Sequence, residues 1–155
     1  MKKYLILALL AFVSSNASAT LLFSDNFNTY ADGSLTTVSG GIWANHSGTL
    51  GQVDVQSGAV NLTATESEDV NALITGGPYT SGLLYYSLTV NFSVLPAGAG
   101  NYFAHFKDAT TGFRARLFAT TVGATPGFYR LAINNGSTPI SATPPPSTPT
   151  FRPHG

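Results

Sequence analysis

The chain has 155 residues, of which 43% are hydrophobic and only 9% are charged, against a charged share of about 25% in ordinary soluble domains. This composition excludes disorder driven by charge, and the length is that of one globular domain. Seven basic and seven acidic side chains cancel, so the chain lacks the basic surplus with which proteins bind nucleic acid.

The first 19 residues have the pattern of a secretory signal peptide. Two lysines precede an apolar run at residues 4–13, and residues 17–19 read Ala-Ser-Ala, the small-residue pattern that signal peptidases cleave. The apolar run is about half as long as the roughly 20 residues that a membrane-spanning helix needs. We therefore expect cleavage between Ala19 and Thr20 and a secreted or periplasmic mature chain, with a compact leader typical of bacteria.

The chain contains no cysteine. Disulfides, thiolate metal sites, cysteine nucleophiles and lipid anchors attached through cysteine are therefore excluded. The mature chain must close on a hydrophobic core, and its length is sufficient for one. Once Lys2 and Lys3 leave with the leader, five cationic side chains remain against seven acidic ones, which is a net charge of −2.

Alternation of apolar and polar residues, interrupted by Gly, Pro and Asn clusters, predicts an all-β domain of antiparallel strands at residues 20–136. The predicted strands lie, in chain order, at residues 21–27, 42–44, 52–55, 59–63, 70–74, 83–95, 101–107, 113–121 and 128–134. The strand at residues 83–95 has the clearest alternation, and short strands at this spacing indicate an antiparallel β-sandwich. Residues 137–155 are rich in Ser, Thr and Pro, which predicts an extended, solvated tail.

Residues 22–27 read Leu-Phe-Ser-Asp-Asn-Phe and are followed by Trp43. This pattern, together with the hairpin at residues 102–117, resembles the concanavalin A-like or laminin G-like jelly rolls of exported bacterial proteins. The resemblance implies a jelly-roll β-sandwich over residues 21–134, a fold shared by lectins, glycan hydrolases and adhesive modules. Such jelly rolls usually end with strands that return beside the first strand, whereas this chain becomes Pro-rich, so a domain that lacks its last strands is an open interpretation.

Glu66 and Glu68 are the candidates for catalysis. Glycoside hydrolases use two carboxylates about 5 to 9 Å apart, and alternate residues on a strand share a face with Cα atoms roughly 6.6 Å apart. The Glu-x-Asp-x-x-Glu pattern of the jelly-roll glucanases is not met, because position 71 is Asn and the preceding residues are polar. A solvated acidic loop is therefore the preferred interpretation, and hydrolysis stays an alternative.

Isolated carboxylates at Asp25, Asp32 and Asp54 are the other oxygen donors that a cation would need. Ca²⁺ takes roughly six to eight oxygen ligands, while the Asn and Gly neighbours of these residues favour turn hydrogen bonds. We therefore expect no cofactor and leave a Ca²⁺ site open.

Alternation places Arg114 and Arg116 on one face of a predicted strand and Arg130 on its neighbour. With His105 and Phe103 on the preceding strand, one sheet face would carry a basic and aromatic patch. Guanidinium groups bind carboxylate or sulfate through two parallel hydrogen bonds, and exposed rings stack on sugars. The alternative is a solvated polar face without a ligand.

These features predict an exported, monomeric binding or adhesion domain for an extracellular carbohydrate. Trp43 and the aromatic residues of the alternating strands are assigned to the core. A glycoside hydrolase of jelly-roll type and a structural surface or matrix protein without a small ligand are the alternatives.

Overall fold

The computed structural model describes residues 19–137 and 150–153. The predicted signal peptide, apart from Ala19, and most of the predicted tail lie outside the described residues. Within these ranges the chain is nearly all-β and its strands pair antiparallel, which confirms the all-β, antiparallel part of the predicted fold. No helix in the described ranges is long and apolar enough to cross a membrane.

The elements are, in chain order, β1 (Gly33–Ser34), α1 (Leu35–Val38), β2 (Trp43–Ser47), β3 (Asp54–Gln56), β4 (Ala59–Asn61), β5 (Asp69–Ala72), β6 (Asn101–Lys107), β7 (Phe113–Thr120) and β8 (Arg130–Asn134). In the described part of the chain they form three antiparallel sheets, with the strand orders β1-β3-β4, β2-β5 and β6-β7-β8. Consecutive strands pair at β3-β4, β6-β7 and β7-β8, whereas β1-β3 and β2-β5 pair across intervening elements.

The core of the N-terminal half is built around three fully buried aliphatic side chains, Leu35, Val53 and Val55. The single turn of α1 directs Leu35 inward, and its backbone N–H donates to the carbonyl of Val53 at 2.9 Å. Burial of each such side chain stabilises the fold by about 1.5–3 kcal/mol. The partly buried residues packed against this cluster are Phe27, Tyr30, Val38, Trp43, Val60 and Val70.

The sheet β6-β7-β8 forms the C-terminal half. The register pairs Tyr102 with Phe118 and Thr120 with Arg130, and bulges interrupt the β6-β7 pairing. Asp108 closes the β6-β7 loop by accepting hydrogen bonds from the backbone N–H groups of Thr110 and Gly112, each at 2.9 Å. These three strands lie where the alternation predicts them, because each pairs with its neighbour in sequence.

The predicted strands at residues 21–27 and 83–95 are absent from the described structure. The first is a loop because the Asp25 side chain accepts the backbone N–H of Phe27 and closes a turn. Residues 83–95 have the alternation of a strand but no neighbouring strand with which to form backbone hydrogen bonds.

Phe151, within the predicted tail, returns to the C-terminal sheet. Its backbone exchanges two hydrogen bonds with Tyr129, at 2.9 and 2.8 Å, and the two rings stack with centroids 5.5 Å apart. This contact attaches the described end of the chain to the start of β8.

Candidate functional site

An open hollow of about 310 Å³ lies beside the core of the N-terminal half. Its walls combine rings, an aliphatic side chain and short polar side chains: Phe23, Ser24, Asp25, Asn26, Thr29, Tyr30 and Ile42. Most of these residues belong to the loop that precedes β1, and Ile42 directly precedes β2. Small-molecule sites span roughly 300–1,000 Å³, so the hollow is the size of a site for a small ligand. We call it the Asp25 hollow.

Asp25 is the polar centre of the hollow. Its Oδ2 accepts hydrogen bonds from Trp43 Nε1 at 2.9 Å and from the Tyr30 hydroxyl at 2.7 Å. Its Oδ1 accepts the backbone N–H of Phe27 at 2.9 Å. Phe27 has a φ of +60°, an unusual value for a residue other than glycine, and its carbonyl accepts the backbone N–H of Tyr30 at 3.1 Å. One carboxylate thus fixes the loop and orients two aromatic rings.

The rings around Asp25 form a continuous cluster. Phe23 meets Trp43 edge-on with centroids 5.8 Å apart, and Phe27 lies 5.9 Å from Trp43 and 6.2 Å from Tyr30. Trp43 is also held through its backbone, whose N–H donates to the buried Ser39 hydroxyl at 3.1 Å. Each aromatic pair contributes about 0.5–1.5 kcal/mol beyond its buried area, so the wall of the hollow is preorganised.

Asp25 is ionised at neutral pH. Burial by itself raises the pKa of a carboxyl group, but the hydrogen bonds from Trp43, Tyr30 and the Phe27 backbone outweigh it, and the pKa of Asp25 lies below its ordinary value. The hydrogen bond that the Tyr30 hydroxyl donates to Asp25 raises the pKa of that hydroxyl. The hollow therefore presents a fixed hydrogen-bond acceptor rather than a proton donor.

The structure divides the predicted basic patch. The β7-β8 register places Arg116 and Arg130 on one face of the sheet, but both are buried, with 7% and 5% of their surface exposed. Arg114 is exposed and lies 3.8 Å from the carboxylate of Asp108. Phe103 packs edge-on against another ring, that of Phe92, with centroids 5.5 Å apart. The five predicted residues thus do not form one open binding surface.

Arg116 lies instead in an aromatic enclosure on the β6-β7 sheet. Its guanidinium carbon is 3.9 Å from the ring centroid of Phe113 and 5.0 Å from that of Tyr102. The rings of His105 and His46 lie 4.9 and 5.7 Å from Phe113. Arg116 Nε, His105 Nδ1 and His46 Nε2 are buried without a hydrogen-bond partner among the described residues. Three nitrogen-bearing side chains therefore meet around one phenyl ring.

The pKa values of His105 and Tyr102, two neighbours of Arg116, are both shifted. Burial lowers the pKa of His105, and the Arg116 charge lowers it further. Burial also raises the pKa of Tyr102 to about 12, reinforced by the hydrogen bond that the Tyr102 hydroxyl donates to Asp69 at 2.8 Å. That bond connects β6 to β5, and Ser47 of β2 donates to the same carboxylate at 2.9 Å.

Arg130 has a structural contact in the same sheet. Its Nη1 donates to the carbonyl of Gly123 at 3.0 Å, while its Nε is buried without a partner in the described ranges. The side chain therefore holds the β7-β8 loop against the sheet.

The two candidate catalytic carboxylates have separate structural roles. Glu68 is only 7% exposed, and its Oε2 accepts the backbone N–H groups of Gln52 and Val53, both at 2.7 Å. Burial opposes ionisation, but these bonds and one from Asn45 lower the pKa of Glu68 below its ordinary value. Glu66 accepts a backbone N–H within its own turn. Glu68 is thus not part of a solvated loop, because its carboxylate satisfies backbone donors at the edge of the core.

The carboxylates considered for Ca²⁺ are engaged separately. Asp32 accepts the backbone N–H of Ser57 at 2.8 Å, and Asp54 accepts side-chain amides of Gln56 and Asn61. Within residues 19–137 and 150–153, no group of three or more His, Asp or Glu side chains is placed to hold a metal ion.

The hollow was not found from the sequence. The Asp-Asn pair at residues 25–26 predicts a turn, which Asp25 does form, but its second oxygen reaches Tyr30 and Trp43 as well. The signal available was the density of aromatic residues around this turn, together with a tryptophan that needs an acceptor for its indole N–H. His46 was also missed, because a single histidine in a polar turn carries no pattern.

Comparison of the chain with protein-family models, with curated proteins and with solved structures finds no match. The resemblance to concanavalin A-like jelly rolls therefore stays a prediction. Functional inference depends on the geometry of the hollow and of the arginine enclosure.

Proposed function

We propose that this protein is an exported, non-catalytic domain that binds an extracellular carbohydrate in the Asp25 hollow. The carrying observation is the combination, in one open space of about 310 Å³, of an ionised carboxylate, aromatic walls and short hydroxyl and amide side chains. Export rests on the leader at residues 1–19, and the finer fold, a concanavalin A-like jelly roll, rests on the resemblance.

A sugar ring offers an apolar face of C–H groups and a rim of hydroxyl groups. The rings of Phe23 and Tyr30 line the hollow and suit the apolar face, while Asp25 accepts from hydroxyl groups on the rim. Ser24, Asn26 and Thr29 add neutral donors and acceptors at the same edge. Polar and apolar groups therefore line the hollow in similar measure, which suits a ligand that carries many hydroxyl groups.

Binding without catalysis is favoured by the charge state of the hollow. Glycoside hydrolysis needs a protonated carboxyl group and a second carboxylate about 5 to 9 Å away. Among the residues that line the hollow, Asp25 is the one carboxylate, and its pKa is lowered. Its three hydrogen bonds also hold it in place as an acceptor rather than a proton shuttle.

We expect weak binding at a single hollow, with a Kd of about 0.1 to 1 mM, because an open site buries little of its ligand. Calorimetric titration with soluble neutral and acidic oligosaccharides tests this. Thr29→Val removes a lining hydroxyl at constant shape and should weaken binding about tenfold, and Phe23→Ala should do so at least as strongly. Phe128→Ala removes a half-buried ring beside β8 and serves as the matched control. The proposal would be overturned if the parent protein bound none of the carbohydrates. It would also be overturned if the Thr29 and Phe23 variants bound as tightly as the parent.

An acidic glycan bound through Arg116 is the second candidate. The observation that favours it is a buried guanidinium with no carboxylate within 4 Å in the described part of the chain. A carboxylate or sulfate group would supply the acceptor that Arg116 and His105 lack. In that case Arg116→Met abolishes binding, binding weakens with salt, and Thr29→Val has no effect.

A further inference from the structure

Residues 83–95 lie against the β6-β7-β8 sheet without joining it. Tyr86 and Phe92 attach the segment, since their rings pack edge-on against Phe106 and Phe103 with centroids 4.9 and 5.5 Å apart. No backbone N–H or C=O group of the segment forms a hydrogen bond with a described residue. Buried backbone groups are normally paired within the protein, whereas this exposed segment leaves its backbone groups to water, as an edge strand does.

Most apolar side chains of the segment are exposed. Leu83, Tyr85 and Val94 have 79%, 81% and 75% of their surface exposed. The complete exposed apolar set is Leu83, Leu84, Tyr85, Leu88, Val90, Val94 and Leu95. Together they expose on the order of 800 Å², which is about what one partner contributes to an interface of standard size.

Charge does not protect this segment from pairing. Residues 70–106 contain no Asp, Glu, Lys or Arg. Natural edge strands usually carry such charges, or prolines, which prevent pairing with another chain. The absence of both within residues 83–95 favours a neutral partner strand.

The order of residues in the segment is nearly symmetric about Thr89. Five of the six pairs equally far from Thr89 are of the same kind: Leu88 with Val90, Ser87 with Asn91, Tyr86 with Phe92, Leu84 with Val94, and Leu83 with Leu95. Tyr85 with Ser93 is the exception. In an antiparallel pair related by a two-fold axis, each residue faces the symmetry-related position of the other copy. A second copy in register at Thr89 therefore places most aliphatic, aromatic and polar side chains opposite their own kind, with Tyr85 opposite Ser93.

We propose that residues 83–95 pair antiparallel with the same residues of a second copy of this chain, about a two-fold axis through Thr89. Pairing supplies the missing backbone hydrogen bonds and covers the exposed apolar side chains. Phe92 also packs on Tyr129 with centroids 4.6 Å apart, and the Tyr86 hydroxyl donates to the carbonyl of Ala115. The segment is thus held to the sheet by side chains alone, and its backbone stays free to pair with a second copy. The proposal replaces the expectation of a monomer and does not depend on carbohydrate binding.

Thr89 allows a sharp test because it is exposed and faces its own symmetry mate at the proposed axis. Sedimentation equilibrium of the parent protein should give the mass of a dimer. Thr89→Lys and Thr89→Glu each place like charges opposite one another and should weaken association at least tenfold, with unchanged circular dichroism. A one-to-one mixture of the two variants should recover the dimer. Thr80→Lys, also exposed but outside the segment, is the control and should associate like the parent.

Each result decides the proposal. A parent protein that stays monomeric at every concentration overturns it, as do charged Thr89 variants that associate like the parent. If both variants lose association and their mixture does not recover it, the two-fold pairing is overturned in favour of another partner strand. Recovery only in the mixture supports pairing between copies.

Discussion

Trp43 Nε1 donates a hydrogen bond to Asp25 Oδ2 at 2.9 Å across 18 residues of sequence. The bond connects the start of β2 to the loop that forms the Asp25 hollow. Trp43 and Tyr30, the two side-chain donors to Asp25, also pack against the buried cluster of Leu35, Val53 and Val55. The hollow therefore depends on the same core that stabilises the N-terminal half, and changes at Asp25 affect both.

Asp25→Asn is expected to lower the free energy of unfolding by about 1–3 kcal/mol at pH 7, since an amide cannot accept all three hydrogen bonds. Because the pKa of Asp25 is lowered on folding, its ionised contribution is present above its ordinary value of 3.8 and is lost as pH falls through the folded pKa. Urea unfolding of parent and variant at pH 7 and near pH 2 measures both effects, and the difference should shrink at the lower pH. Asp32→Asn, which loses one exposed contact, should cost less; equal effects of the two variants would contradict this role.

Glu68→Gln is expected to destabilise the protein by about 1–3 kcal/mol, because two backbone N–H groups lose a charged acceptor at the edge of the core. The pKa of Glu68 is also lowered, so this contribution is lost as pH falls below about 4.5, its ordinary value. Glu66→Gln is the matched control and should change stability by less than about 0.5 kcal/mol. Chemical unfolding of both variants measures their free energies of unfolding. A larger loss of stability in Glu66→Gln than in Glu68→Gln would contradict the structural role of Glu68.

Arg116→Met is expected to leave stability unchanged or to raise it by about 1 kcal/mol, because the desolvation of an unpaired cation opposes its attraction to the rings. Sulfate should then stabilise the parent more than the variant, since only the parent has the buried guanidinium. Thermal unfolding with and without sulfate measures the difference, and Arg114→Met, which changes an exposed arginine, is the control. A loss of 3 kcal/mol or more, on the scale of about 3–5 kcal/mol for breaking a buried pair, would show that Arg116 has a partner in the folded protein.

Stability is expected to fall as pH decreases below about 6.5, the ordinary value for histidine, because burial lowers the pKa of His105 and the unfolded chain therefore binds a proton first. The loss of stability ends once the pH lies below the pKa of His105 in the folded protein. His105→Gln should flatten the curve of unfolding free energy between pH 8 and pH 5. An unchanged slope in the variant would assign the effect to another group.

The three strands of the C-terminal sheet could be predicted from the sequence because each pairs with a strand that is adjacent in sequence. β6 lies at residues 101–107 as predicted, and the ends of β7 and β8 differ from prediction by at most two residues. α1 was missed because one helical turn is too short to show a period. For residues 83–95 the alternation places Tyr86 and Phe92 on one face with Leu84, Leu88, Val90 and Val94, but only the two rings pack against the sheet and the four aliphatic side chains are exposed. A pattern cannot show whether a partner strand exists.

The candidate site could be predicted only in part, because it depends on contacts between distant residues. The turn at Asp25 is local, whereas its contact with Trp43 spans two elements. The burial of Arg116 is likewise non-local: alternation assigns polar residues to the solvent face, and the rings that cover this arginine come from β6 and β7.

Trp43 makes the central claim directly measurable, because it is the only tryptophan of the chain and its indole donates to the carboxylate of the hollow. Titration of the protein with a carbohydrate that binds in calorimetry should change the Trp43 emission in a saturable way, with the same Kd, and Thr29→Val should shift both curves together. A carbohydrate that binds with Trp43 emission unchanged, and equally to the Thr29 variant, would contradict binding in the Asp25 hollow.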